Sequence, residues 1–169
     1  MIKIVLYQPE KPGNIGNILR TANATEIKVI IIGPLSFALD DKALKRAGMD
    51  YIQLSSFEIY DNYEEFLKDY KDKEIFYVTR YSSKPYSAFN FSDVTKEYIF
   101  MFGRESSGIP YEILKNNLSH CMRIPMAPQA RSLNLSNSVA IIIYEALRQV
   151  NFYNLSTKEV IKGEDFLIK

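Results

Sequence analysis

Ile2-Lys3-Ile4-Val5-Leu6-Tyr7, then Gln8-Pro9-Glu10-Lys11, then Pro12-Gly13-Asn14-Ile15-Gly16-Asn17-Ile18-Leu19-Arg20, is the stretch on which the fold turns. Its first part is apolar and β-branched and reads as a buried strand. Pro9, Pro12 and Gly13 make a loop. From Asn14 onward, Ile15, Ile18, Leu19 and Ala22 recur at helical spacing. Strand, polar turn and helix form one βα unit, and the alternation repeats downstream. Lys28–Ile32 is a second strand, closed by Gly33-Pro34. Residues 40–47 read as a helix stopped by Gly48, and 51–54 as a third strand. A helix over 62–70 has Leu and aromatic residues on one face. Residues 74–79 and Tyr98–Phe102 are further strands, 110–116 a helix with Pro110 at its start, and 121–124 a sixth strand. The last helix, 135–150, is apolar along Val139, Ile142, Ile143 and Ala146. Strands alternating with helices predict an α/β fold, a mostly parallel sheet flanked by helices, in one domain over 1–150. The tail 151–169 is charged. It is expected to be loosely ordered, or docked on a partner subunit through Phe152, Tyr153, Phe166 and Leu167. Residues 81–93, rich in Ser and aromatics, read as a mobile loop.

Composition narrows the function. Of 169 residues, 47% are hydrophobic and 24% charged, the balance of a soluble globular protein. No apolar run approaches the roughly 20 residues of a membrane span, and the apolar start is too short for a signal peptide. A single cysteine, Cys121, forms no internal disulfide and fits a reducing cytoplasm. One Cys and one His (His120) do not make a zinc site, so no metal is expected. A net charge of +1 argues against indiscriminate coating of nucleic acid but leaves RNA open. Local clusters such as Lys42, Lys45 and Arg46 would be presented twice by a homodimer.

Three separated segments carry more polar chemistry than helices and turns require. In the first, Gly13 and Gly16 suit a tight turn, Asn14 and Asn17 suit capping or ligand binding, and Arg20 lies on the first turns of the helix. Gly-x-Gly-x-x-Gly spacing is absent, as is Gly-Lys-Ser/Thr, which lowers the case for dinucleotide or ATP chemistry. The second segment is Phe102-Gly103-Arg104-Glu105-Ser106-Ser107-Gly108-Ile109-Pro110, two glycines around a charged turn after a strand. The third runs from Ile124-Pro125-Met126-Ala127-Pro128 into Arg131-Ser132-Leu133-Asn134-Leu135-Ser136-Asn137-Ser138. Part of that polar cluster caps a helix; the rest sits where a helix N-terminus can receive a ligand. Each segment alone also reads as ordinary caps and turns. Met122 and Met126 read as core filler, and Cys121 and His120 as structural or exposed, with no chemistry assigned.

Taken in order, the three segments resemble the motifs of the SPOUT-class 2′-O-ribose methyltransferases, nearest to the group that methylates the wobble nucleotide of transfer RNA. The stretch from Phe37 to Tyr51 also resembles that group, and the likeness covers Ile2 to about Gln149. The second motif departs from some relatives, having Arg104 where they carry Pro and Ser107 where they carry Arg. The resemblance implies a deep C-terminal trefoil knot, S-adenosylmethionine (SAM) as cofactor, a homodimer, and tRNA, through its anticodon stem-loop, as substrate. It makes Val78, Gly103, Ile124 and Ser132 the candidate cofactor-binding residues. Arg20, Asn14, Glu105, Ser132 and Asn134 are the candidate catalytic group.

In that reading Arg20 either removes the ribose 2′-hydroxyl proton or stays cationic and stabilises the developing alkoxide. Asn14 positions Arg20 or the ribose. Glu105 orients Arg20 or binds near the cofactor. Ser132 and Asn134 shape the site and hold the substrate backbone or the methionine end of SAM. Lys42, Arg46, Lys84 and Arg131 are candidate phosphate contacts. The alternatives are methylation at another tRNA or ribosomal RNA position, and an RNA-binding protein that has lost catalysis.

Overall fold

Six strands build the sheet, and their sequences explain why it lies inside. In the computed structural model, residues 1–38 and 57–168 are described. The strands are β1 (Ile2–Tyr7), β2 (Lys28–Ile32), β3 (Phe57–Tyr60), β4 (Ile75–Val78), β5 (Tyr98–Phe102) and β6 (Cys121–Met122). They lie in the order β3-β2-β1-β5-β4-β6, every pairing parallel. Residues 4–6, 29–32 and 98–102 are buried without alternation, as strands covered on both faces must be. The side chains divide by period 2. Ile4, Leu6, Ile31, Phe100 and Phe102 meet helices α1 (Pro12–Ala24) and α4 (Leu135–Gln149) on one face. Val5, Ile30, Ile32, Ile99 and Met101 meet α2 (Tyr63–Tyr70) and the short α3 (Tyr111–Lys115) on the other.

Several elements differ from the sequence reading. The expected helix at 40–47 and strand at 51–54 lie outside the described residues. The strand that pairs with β2 on the side away from β1 is Phe57–Tyr60, which the sequence reading did not assign. Its pattern is weak because it is an edge strand, with Ile59 about half exposed. The sixth strand stops at Met122, before the prolines of the next loop. Helix α1 begins at Pro12, so Gly13 and Gly16 lie within it and not in a turn. A Cβ on Gly13 would meet nothing.

The segment 81–93 is anchored. Its Phe-x-Phe spacing sends Phe89 and Phe91 into the core beside Phe76. Gln149 then clasps the backbone, its Oε1 accepting the Phe91 N–H at 2.6 Å and its Nε2 donating to the Phe89 carbonyl at 3.1 Å. Beyond α4 the chain has turns but no helix or strand through residue 168. Phe152 and Leu155 pack on the core, while Ile161, Leu167 and Ile168 are exposed. Among the described residues no helix is long and apolar enough to cross a membrane.

Candidate active site

The strand order reverses between β1 and β5. At such a point the loops leaving neighbouring strands diverge, and parallel sheets hold ligands in the crevice at the carboxyl ends. The loop after β1 and the loop after β5 meet there. Glu105 Oε2 accepts the Glu10 N–H at 2.8 Å; its Oε1 accepts from the Lys11 N–H at 3.2 Å and from Asn14 Nδ2 at 2.8 Å. Lys11, the N-cap of α1, has no side-chain cap bond, so a carboxylate far along the chain takes up the amides just before the helix. Glu10 returns the connection, accepting from the Ser106 N–H and hydroxyl at 2.8 and 2.7 Å. Those two bonds hold the Glu10 carboxyl below its ordinary range.

Asn14 extends this network to the third motif. It is buried, and its Oδ1 accepts from Asn134 Nδ2 at 3.0 Å. Asn134 in turn caps α4: its Oδ1 accepts the backbone N–H of Ser136 and of Asn137. Glu105, Asn14 and Asn134 therefore form one line of hydrogen bonds through all three motifs. Their polar groups are spent on each other and on helix starts, and Glu105 holds the start of α1, not Arg20.

Beside this line lies a cavity of about 790 Å³, within the range of small-molecule sites. Val78, Gly103, Ile124 and Ser132, the four cofactor candidates, all line it, together with Asn14, Glu105, Asn134 and Arg131. The loop 104–108 folds back on itself through reciprocal Arg104 and Gly108 backbone bonds of 3.2 and 2.9 Å. Gly108 has φ +74°. A Cβ on Gly103 would lie 2.1 Å from the Gly108 carbonyl carbon, so only glycine permits this closure.

A family model, the SpoU rRNA Methylase family, matches residues 1–144. The chain belongs to the SpoU methylase family. A putative tRNA (cytidine(34)-2′-O)-methyltransferase of Bacillus subtilis is 46% identical over 154 residues, covering 91% of this chain and 96% of that protein. The crystal structure of a putative RNA methyltransferase from Bacillus anthracis superimposes with a TM-score of 0.88 at 50% identity, covering 94% of this chain and all of that one. A structure described as giving insights into 2-OH methylation of C/U34 on tRNA has a TM-score of 0.81 at 35% identity, covering 90% and 97%. A SpoU methyltransferase of Streptomyces viridochromogenes in complex with AdoMet has a TM-score of 0.69 at 25% identity, covering 87% and 59%. The fold is thus that of the SpoU methyltransferases, and the chain is a methyltransferase.

Arg20 and Lys84 fall elsewhere on this SpoU methylase. Arg20 is exposed and off the cavity wall. Six residues beyond Asn14, it lies about 9 Å further along α1 and on another face. Lys84 is exposed, its Nζ 3.8 Å above the Phe89 ring. The Arg131 carbonyl accepts from Arg80 Nη1 at 3.0 Å. Lys42 and Arg46 lie outside the described residues.

The sequence reading missed Glu10, which no motif marked. It also missed Arg80, Tyr81 and Tyr111 at the cavity mouth. Their signal is a cation and two tyrosines at the ends of elements, visible only once those ends are adjacent. The Tyr111 phenol, hydrogen-bonded to Tyr81, is held above its ordinary range.

Removing the carboxylate tests the network. Glu105→Ala deprives three N–H donors of one acceptor, and we expect a loss of about 1–3 kcal/mol in unfolding free energy. SAM affinity should fall with it, because the loop beneath Gly103 loses its tie to α1. Thermal melts and calorimetry on the same sample measure both. A variant with wild-type melting would mean that water satisfies those donors as well as Glu105 does.

Proposed function

We propose that the protein transfers a methyl group from SAM to the ribose 2′-hydroxyl of nucleotide 34 in the anticodon loop of tRNA, working as a homodimer. The observation that carries this reading is the convergence of the three motifs on one cavity, tied together by Glu105, Asn14 and Asn134. The cavity suits SAM in size and chemistry. Apolar side chains of Val78, Ile109 and Ile124 line it beside the polar residues Ser132 and Asn134. Val78, Gly103, Ile124 and Ser132 would hold the cofactor, which when bound supplies a methyl already activated on a sulfonium.

The residues then have three tasks. The closed loop 104–108 and the Asn134-capped start of α4 keep the walls fixed, so that a ribose oxygen is held in line at near-contact distance. Asn14 fixes the start of α1. Arg20, exposed on α1, serves the cavity of a second copy, where it assists loss of the 2′-hydroxyl proton as base or as cationic partner of the oxygen. Arg131 and Lys84, with Lys42 and Arg46, would meet phosphates, and the unstacked loop bases would be read by shape and edge contacts.

The test is mass spectrometry of tRNA nucleosides after incubation with purified protein and SAM. A 2′-O-methylated nucleotide at position 34 is the expected product. A methyl group mapped to another tRNA position or to ribosomal RNA would replace the substrate assignment. No product from protein that binds both SAM and tRNA would leave a binding protein without catalysis.

A further inference from the structure

The cavity mouth carries two tyrosines to which the methyl-transfer reading assigns no task. Tyr81 lies three residues beyond β4 and Tyr111 opens α3. Both line the cavity, yet they are 58% and 57% exposed. Their ring centroids are 5.3 Å apart at 76°, and their hydroxyls meet at 2.9 Å. The hydroxyl pair fixes both rings while leaving most of their surface to solvent. Two rings held in advance lose little side-chain freedom when a ligand settles on them.

Cations surround the pair. The Arg80 guanidinium carbon is 5.6 Å from the Tyr81 ring centre, and Arg80 also reaches across to the Arg131 carbonyl at 3.0 Å. Lys11, Arg104 and Arg131 continue the rim. Nearby carboxylates are occupied: Glu10 by Ser106, Glu105 by the start of α1, and Glu112, beside Tyr111, by Lys115 at 3.0 Å. Open aromatic surface beside a guanidinium that pairs with no carboxylate among the described residues is the combination that takes an unstacked nucleobase and its phosphate.

We propose that Tyr81 and Tyr111 form a stacking platform for one unpaired base of the RNA substrate, with Arg80 meeting the adjoining phosphate. This rests on the tRNA reading above and deepens it by naming the residues that grip a base at the cavity mouth. The competing occupant is the adenine of SAM, which enters the same cavity.

The experiment uses the full-length protein and an anticodon stem-loop RNA carrying 2-aminopurine at each unpaired position in turn. Wild-type protein should quench the probe at one loop position. Tyr81→Ala and Tyr111→Ala should abolish that quenching and weaken RNA binding by about 5-fold to 100-fold. Tyr81→Phe and Tyr111→Phe keep the rings but lose the hydroxyl pair; they should retain the quenching, with a smaller loss of RNA affinity than the alanine variants. SAM affinity by calorimetry should be unchanged in all four variants. Alanine variants that bind and quench like wild type overturn the platform and leave the tRNA reading standing. Alanine variants that lose SAM affinity instead assign the pair to adenine and overturn it too. A wild-type protein that binds no stem-loop overturns the platform together with the tRNA reading.

Discussion

Gly103→Ala should cost this protein its cofactor. The added Cβ would lie 2.1 Å from the Gly108 carbonyl carbon, 2.2 Å from the Ile109 nitrogen and 2.6 Å from the Gly108 oxygen. All three are backbone atoms, so no side chain can swing aside. The loop 104–108 must lift, breaking the Arg104–Gly108 bonds and dragging Glu105 from Glu10, Lys11 and Asn14. Overpacking of this kind costs about 1–3 kcal/mol in an adaptable core, and here the neighbours cannot adapt. We expect SAM affinity by calorimetry to fall by about 100-fold or more, equivalent to about 2.8 kcal/mol. Gly108→Ala is the contrast. Its Cβ would meet nothing, and only the left-handed φ of +74° opposes it, a strain of roughly 1–2 kcal/mol. It should bind SAM better than Gly103→Ala. Equal affinities in Gly103→Ala and wild type would mean that this loop is not a cofactor wall.

The difference between those two glycines shows what the sequence can disclose. Both stand in Gly103-Arg104-Glu105-Ser106-Ser107-Gly108 and both read as turn residues, but only three-dimensional closure separates a conformational need from a steric one. The sheet was legible because buried parallel strands such as Tyr98–Phe102 are apolar throughout. Phe57–Tyr60 was not, because an edge strand needs no such pattern. Phe89 and Phe91 looked like loop residues until β4 and β5 set Phe76 and Phe100 beside them. The site was legible as a set of motifs. The assignment of its polar groups was not: Asn14, Glu105 and Asn134 read as partners of Arg20, the ribose or the cofactor, and the structure spends them largely on one another and on helix starts. A hydrogen bond spanning 120 residues, Asn134 to Asn14, leaves no periodicity to read.

Arg20→Ala should lower turnover by about 100-fold or more, the scale of losing a group that stabilises developing charge, while SAM affinity stays near wild type. The second half of that expectation follows from geometry, since Arg20 is exposed on α1 and off the cavity wall. The same geometry makes a sharper claim. If Arg20 serves the cavity of a second copy, a protomer lacking it can still be rescued by its partner. Mixing Arg20→Ala protomers with Gly103→Ala protomers under conditions of subunit exchange tests this. In a mixed dimer the Arg20→Ala protomer keeps a sound cofactor loop, and the Gly103→Ala protomer lends it an intact Arg20. One working site in each mixed dimer, with random pairing, should restore about a quarter of wild-type activity from two nearly inactive proteins. An arginine serving its own cavity restores none, because every site then lacks either its guanidinium or its cofactor. Single-turnover rates on the mixture, with dimer formation followed by light scattering, separate the two outcomes. Activity no higher than the sum of the parents in a mixture that has demonstrably exchanged would remove Arg20 from the neighbouring site.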